Sequence, residues 1–69
     1  MSSDEAVVGK IGRVTHRIAN GKAGEIVVLI RGGSETYMAY SDSDLPEQTE
    51  VLVIGQRSSR TVEVTPFTA

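Results

Sequence analysis

The sequence contains no cysteine, one histidine, three aromatic side chains and no long apolar run. Each scarcity closes off a class of protein. Without cysteine, neither disulfides nor a thiolate zinc site can staple the chain, so stability must come from packing and hydrogen bonds. A cysteine-free chain also leaves the redox compartment open. His16 has no second histidine to share a metal with, and a lone histidine lacks the partners that catalysis or zinc binding requires. No G-x-S-x-G or serine–lysine arrangement marks a nucleophile. The chain is therefore read as non-enzymatic, with no cofactor or metal.

The longest apolar run is five residues, far short of the roughly 20 that cross a bilayer. Residues 1–8, MSSDEAVV, lack the basic start and apolar middle of a signal peptide, so 1–7 reads as a disordered lead-in to a single domain over 8–67. Charge of one sign is scarce too. Seven basic against nine acidic residues give a formal charge of −2, which argues against a dedicated binder of polyanions.

What is present is ordinary for a folded domain: 39% apolar and 23% charged residues over 69 positions. A chain of this length buries only about 60% of the surface its unfolded form exposes, so the core is thin. Glycine and small polar clusters recur every eight to twelve residues, at NGKAG (20–24), RGGS (31–34), SDSDLPEQ (41–48) and GQRSSR (55–60). That spacing belongs to small all-β sandwiches and barrels. Five strands are expected, near 7–18, 24–31, 34–41, 50–56 and 60–66, with one short helical turn possible over Ser43–Gln48.

Gly32-Gly33 suits a two-residue type I′ turn, which needs positive φ at both central positions. Opposite residues would then sum to 65, pairing Val28 with Tyr37 and Val27 with Met38. Alternation places Ile26, Val28, Ile30, Tyr37 and Ala39 on one face and Val27, Leu29, Met38 and Tyr40 on the other. The fourth strand divides into Val51 and Val53 against Leu52 and Ile54. In the fifth, Val62 and Val64 alternate with Thr61, Glu63 and Thr65, and Pro66 ends the ladder. Glycines at 9 and 12 suggest a bent first strand, with Gly12 and Val14 opposite Ile11 and Arg13. A bent strand lets a small sheet close and lose its exposed edges. The expected fold is all-β, a five-stranded Greek-key barrel of the OB type, with an SH3-like barrel as the alternative.

Several segments together carry a resemblance: VGKIGRVTHRI at 8–18, GEIVV at 24–28, Tyr37-Met38-Ala39, and LPEQTEVLV at 45–53. Residues 8–67 resemble the C-terminal soluble domain of the NfeD-like family. The matching positions are Gly12 and Val14, then Gly24, Ile26 and Val28, then Tyr37 and Ala39, then Pro46, Thr49, Val51 and Val53. Gln48 stands where the family usually has glycine, so its turn cannot rely on an easily adopted positive φ. The resemblance implies an OB barrel tethered to the membrane by a segment outside this chain, on the cytoplasmic face. It also implies a partner among stomatin- or flotillin-like scaffold proteins or membrane proteases, whose activity the domain would modulate.

Other features have plainer readings. Ser41-Asp42-Ser43-Asp44 with Glu47 does not match the EF-hand ligand spacing and reads as a solvated turn. Arg13 and Arg17, near Lys10 and Lys22, would suit a nucleic-acid-binding OB domain, the alternative function, only if aromatic platforms stood beside them. The second apolar face, Val27, Leu29, Met38 and Tyr40, has two readings: a loop, the 41–49 segment or the chain ends cover it, or it is the interaction surface, since tyrosine and methionine are enriched at protein contacts and large exposed apolar patches mark them.

Overall fold

A computed structural model describes residues 7–30 and 32–67. Its five strands are β1 (Ile11–His16), β2 (Gly24–Ile30), β3 (Gly33–Tyr40), β4 (Glu50–Ser58) and β5 (Thr61–Pro66). They close into a barrel in the order β1-β2-β3-β5-β4, and β4 returns to β1. All neighbours are antiparallel except β3 and β5. This five-stranded Greek key, with β1 bonded on both sides, is the OB-type barrel. The SH3-like alternative is not adopted.

The core follows the alternation. Val14, Ile26, Val28, Ala39, Val51, Val53, Val62 and Val64 point inward and are buried. The barrel is filled largely by valines, which suit a pleated surface because their branched side chains pack against neighbours.

β1 is shorter than the strand expected over 7–18, yet the whole segment contributes to the core. Val7 and Ile18 are both buried beyond its ends. Gly9 takes φ +94 at the upstream bend, and a bulge interrupts the register between Val14 and His16. The lead-in expected over 1–7 lies outside the described residues up to residue 6, while Val7 itself belongs to the core.

The expected helical turn over Ser43–Gln48 does not form. Leu45 exchanges two backbone hydrogen bonds with Ile18, 2.8 and 3.0 Å, and its buried side chain closes one end of the barrel. Ladder bonding to Ile18 and helix within the same residues are mutually exclusive.

The β2–β3 register also differs from expectation. Ile30 faces Gly33, Val27 faces Thr36 and Ile26 faces Tyr37, so opposite residues sum to 63. Of the two glycines, Gly32 has positive φ, +76, while Gly33 does not and begins β3. Moving each partner by two positions leaves every side chain on its own face, so burial does not discriminate between the two registers. The turn decides, and it needs one glycine rather than two.

Candidate functional site

The interior is filled, so recognition must use the outer surface. On the outer face of β2, Leu29 is 76% exposed and Val27 is half-buried. β1 lies alongside: Gly12 pairs with Val28 and Arg13 with Val27, which brings Ile11 beside Leu29 one step further on. Ile11, 41% exposed, shares a shallow surface depression with Val27, Leu29, Arg13 and Glu50.

Across β1, Ile11 pairs with Leu52 and Arg13 with Glu50. On the next strand, Leu52 pairs with Thr65. Phe67, 38% exposed, donates its N–H to the Glu50 carbonyl at 3.0 Å and so continues the row that contains Val27, Arg13 and Glu50. The outer sheet face therefore carries one apolar row, Leu29, Ile11 and Leu52, beside a second with Val27 and Phe67 flanking an exposed Arg13–Glu50 pair at 3.9 Å. A hydrophobic patch with one exposed ion pair at its edge is suited to a protein partner.

The four residues expected to form one surface are divided. Val27 and Leu29 stay together on this face. Met38, 51% exposed, pairs with Thr61 of β5 and lines a different depression with Thr36, Tyr37 and Arg60. Tyr40 is half-buried beneath Arg57, whose guanidinium carbon lies 4.3 Å from the ring centroid. It lines a third depression with Ile54, Asn20 and Glu63. Ile54 thus sits with Tyr40 and not with Leu52, since the bulge between Val53 and Gly55 re-aims β4 at that point.

Ile11 and Phe67 were not legible as members of the patch. Ile11 is identifiable from sequence as facing away from Val14, but its neighbours are set by β1 docking beside β2. Tyr37, expected inside, packs against the core yet remains half-buried, with Arg60 5.4 Å from its ring.

The four arginines among the described residues lie beside carboxylates. Arg13 lies beside Glu50, Arg17 beside Asp44 at 3.8 Å, Arg57 Nε donates to Glu63 Oε2 at 2.7 Å, and Arg60 Nη1 donates to Glu35 Oε1 at 3.2 Å. His16 is exposed with Nε2 3.5 Å from Glu25 Oε1, and that same oxygen accepts a 2.6 Å hydrogen bond from the Thr15 hydroxyl. In the 41–49 segment, Asp44 accepts from the Asn20 N–H and the Ser41 hydroxyl oxygen accepts from the Ser43 N–H. These are turn-forming bonds. Among the described residues, no group of three or more histidine, aspartate or glutamate side chains is arranged to hold a metal.

The family model for the NfeD C-terminal domain matches residues 11–65. Among solved structures, the chain is similar to the soluble domain of the NfeD protein YuaF from Bacillus subtilis. The two are 26% identical with a TM-score of 0.79, over 91% of this chain and 76% of that one. It is also similar to the C-terminal domain of stomatin operon partner protein 1510-C from Pyrococcus horikoshii, at 24% identity and a TM-score of 0.71, covering 100% of both chains. No protein of curated function matches.

Proposed function

This chain belongs to the NfeD C-terminal domain family, and from that premise we propose that it is a non-enzymatic protein-interaction module of a membrane-associated protein. Its partner in this reading is a stomatin- or flotillin-like scaffold protein, through which it modulates membrane protease activity. The name of the Pyrococcus relative, a stomatin operon partner protein, supports the class of partner. The domain would sit on the cytoplasmic face, tethered by a membrane segment outside these 69 residues. No helix among the described residues is long and apolar enough to cross a membrane.

The observation that carries the reading is the outer face of Leu29, Ile11, Leu52, Val27 and Phe67. Leaving a leucine as exposed as Leu29 on a sheet surface forgoes burial that a partner could supply. The carboxylates beside Arg13, Arg17, Arg57 and Arg60 favour this over the nucleic-acid alternative, which relies on cations available to phosphates.

The test is titration calorimetry of the chain against a purified stomatin-like protein from the same genome. Leu29→Glu should leave the melting temperature nearly unchanged and weaken binding by about tenfold to a hundredfold, the equivalent of one buried leucine. Equal binding by Leu29→Glu would exclude this face. Failure of the unmodified chain to bind would exclude the partner.

A further inference from the structure

We propose that Asn20 is a site of spontaneous covalent modification, a succinimide-forming asparagine whose conversion unfastens one end of the barrel. Asn20 is the chain's one asparagine and is followed by Gly21. The two residues form a tight turn closed by reciprocal hydrogen bonds: Ala19 N–H donates to the Lys22 carbonyl at 3.1 Å, and Lys22 N–H to the Ala19 carbonyl at 2.9 Å. Asn20 and Gly21 are both exposed.

Three features leave the reacting atoms unobstructed. Gly21 has no Cβ, and the space where one would stand holds no heavy atom within 4 Å. Its φ of +81 is open to glycine and costly to residues that would shield the nitrogen. Its N–H takes part in none of the hydrogen bonds found among the described residues, since Ala19 and Lys22 make both backbone bonds of the turn.

The chemistry balances without an oxidant or reductant. The Gly21 backbone nitrogen attacks the Asn20 side-chain carbonyl carbon. A bond from that nitrogen to Cγ forms, the Cγ–Nδ2 bond breaks, and the nitrogen proton leaves with the amide group as ammonia. Water then opens the five-membered ring. Attack at Cγ yields aspartate, and attack at the backbone carbonyl yields isoaspartate, in which the chain runs through the former side chain.

The surroundings give this reaction a structural consequence. The Asn20 N–H donates to Asp44 Oδ1 at 3.2 Å, tying the turn to the segment that carries Leu45. Asp42 lines the same depression as Asn20. A new carboxylate at position 20 therefore meets Asp42 and Asp44, with Arg17, 3.8 Å from Asp44, and Arg57 of the same depression as the facing cations. Isoaspartate also lengthens the backbone of a two-residue turn, which the Ala19–Lys22 pair cannot accommodate unchanged. Both effects act on the contact between Ile18 and Leu45 that closes the barrel end.

The experiment incubates the folded chain at mildly alkaline pH and follows the segment 18–22 by peptide mass spectrometry, with isoaspartate detected by enzymatic methyl transfer. The chain in concentrated urea supplies the reference rate. We expect conversion of Asn20 in the folded chain at a rate comparable with that reference, giving both products, and a lowered melting temperature in the converted fraction. Asn20→Gln, whose ring closure is six-membered and slower, should keep both its mass and its melting temperature. An unchanged Asn20 in the folded chain, under conditions that convert the urea-unfolded one, would overturn the site. A converted fraction that melts with the starting protein would overturn its consequence.

Discussion

At the scale of single residues, two positions decide how the backbone travels. Gln48 is the one described residue other than glycine with positive φ, +79. Its N–H donates to the Val14 carbonyl at 2.8 Å, and Thr49 accepts from the Val14 N–H at 2.9 Å, so the strain is held by β1. A side chain in the left-handed region costs about 1–2 kcal/mol, partly offset in a glycine variant by the larger entropy glycine loses on folding. Gln48→Gly should stabilise the domain by about 0.5–1 kcal/mol. In urea unfolding, that outcome is a raised midpoint with an unchanged slope.

Gly24 is the opposite case. A Cβ there would collide with the carbonyl oxygens of His16 and Arg17, where the end of β1 crosses the start of β2. Because the obstacle is backbone on both counts, no side-chain rotation relieves it. Gly24→Ala should destabilise by about 3 kcal/mol, the upper end of the usual cost of overpacking, read as a fall in the urea midpoint. Glycine is required at position 24 for close approach, whereas at 48 it is only preferred for its conformation.

At the scale of elements, the β2–β3 hairpin shows where pattern reading ends. Alternation sorted Ile26 and Val28 from Val27 and Leu29 correctly, because a strand's faces follow parity alone. It could not separate a register summing to 65 from one summing to 63, since both preserve parity. Substitution separates them: Gly32→Ala should cost about 1–2 kcal/mol because its φ is positive. Gly33→Ala should cost much less, since its φ is not positive and the nearest atom to a new Cβ is the Ile30 carbonyl oxygen at 3.9 Å. Equal losses in thermal melts of the two variants would restore the type I′ turn.

The same hairpin explains why the expected interaction surface came apart. Val27, Leu29, Met38 and Tyr40 do lie on the outward side of β2 and β3, as alternation requires. The barrel then places β1 against β2 and β5 against β3. Val27 and Leu29 gain Ile11 as a neighbour, while Met38 gains Thr61 and Tyr40 gains Arg57. Nothing local to residues 24–40 encodes those neighbours.

At the scale of the whole molecule, closure depends on a few long-range seals. Leu45 is one of them, joining the 41–49 segment to Ile18 and covering the barrel end. Leu45→Ala should destabilise by about 2–5 kcal/mol, a large share of what so small a domain has, and calorimetry should show a melting temperature many degrees lower. Leu29→Glu should leave that temperature nearly in place, so the pair distinguishes a seal from a surface leucine. The 41–49 segment does cover apolar surface, but at the barrel end and not on the outer face of β2.

The amino-acid order by itself determined the β class, the number of strands, the inward valines and the family. These depend on period-two alternation, on turn residues at regular spacing and on local glycine requirements, all of which act between near neighbours in the chain. The tertiary structure alone decided the hairpin register, the use of Leu45 as a plug and the composition of the outer patch. Those depend on which strands become neighbours when the barrel closes. Closure brings Ile11, Leu29, Leu52 and Phe67 onto one face from four separate strands and strand ends, and no periodicity within a strand records that meeting.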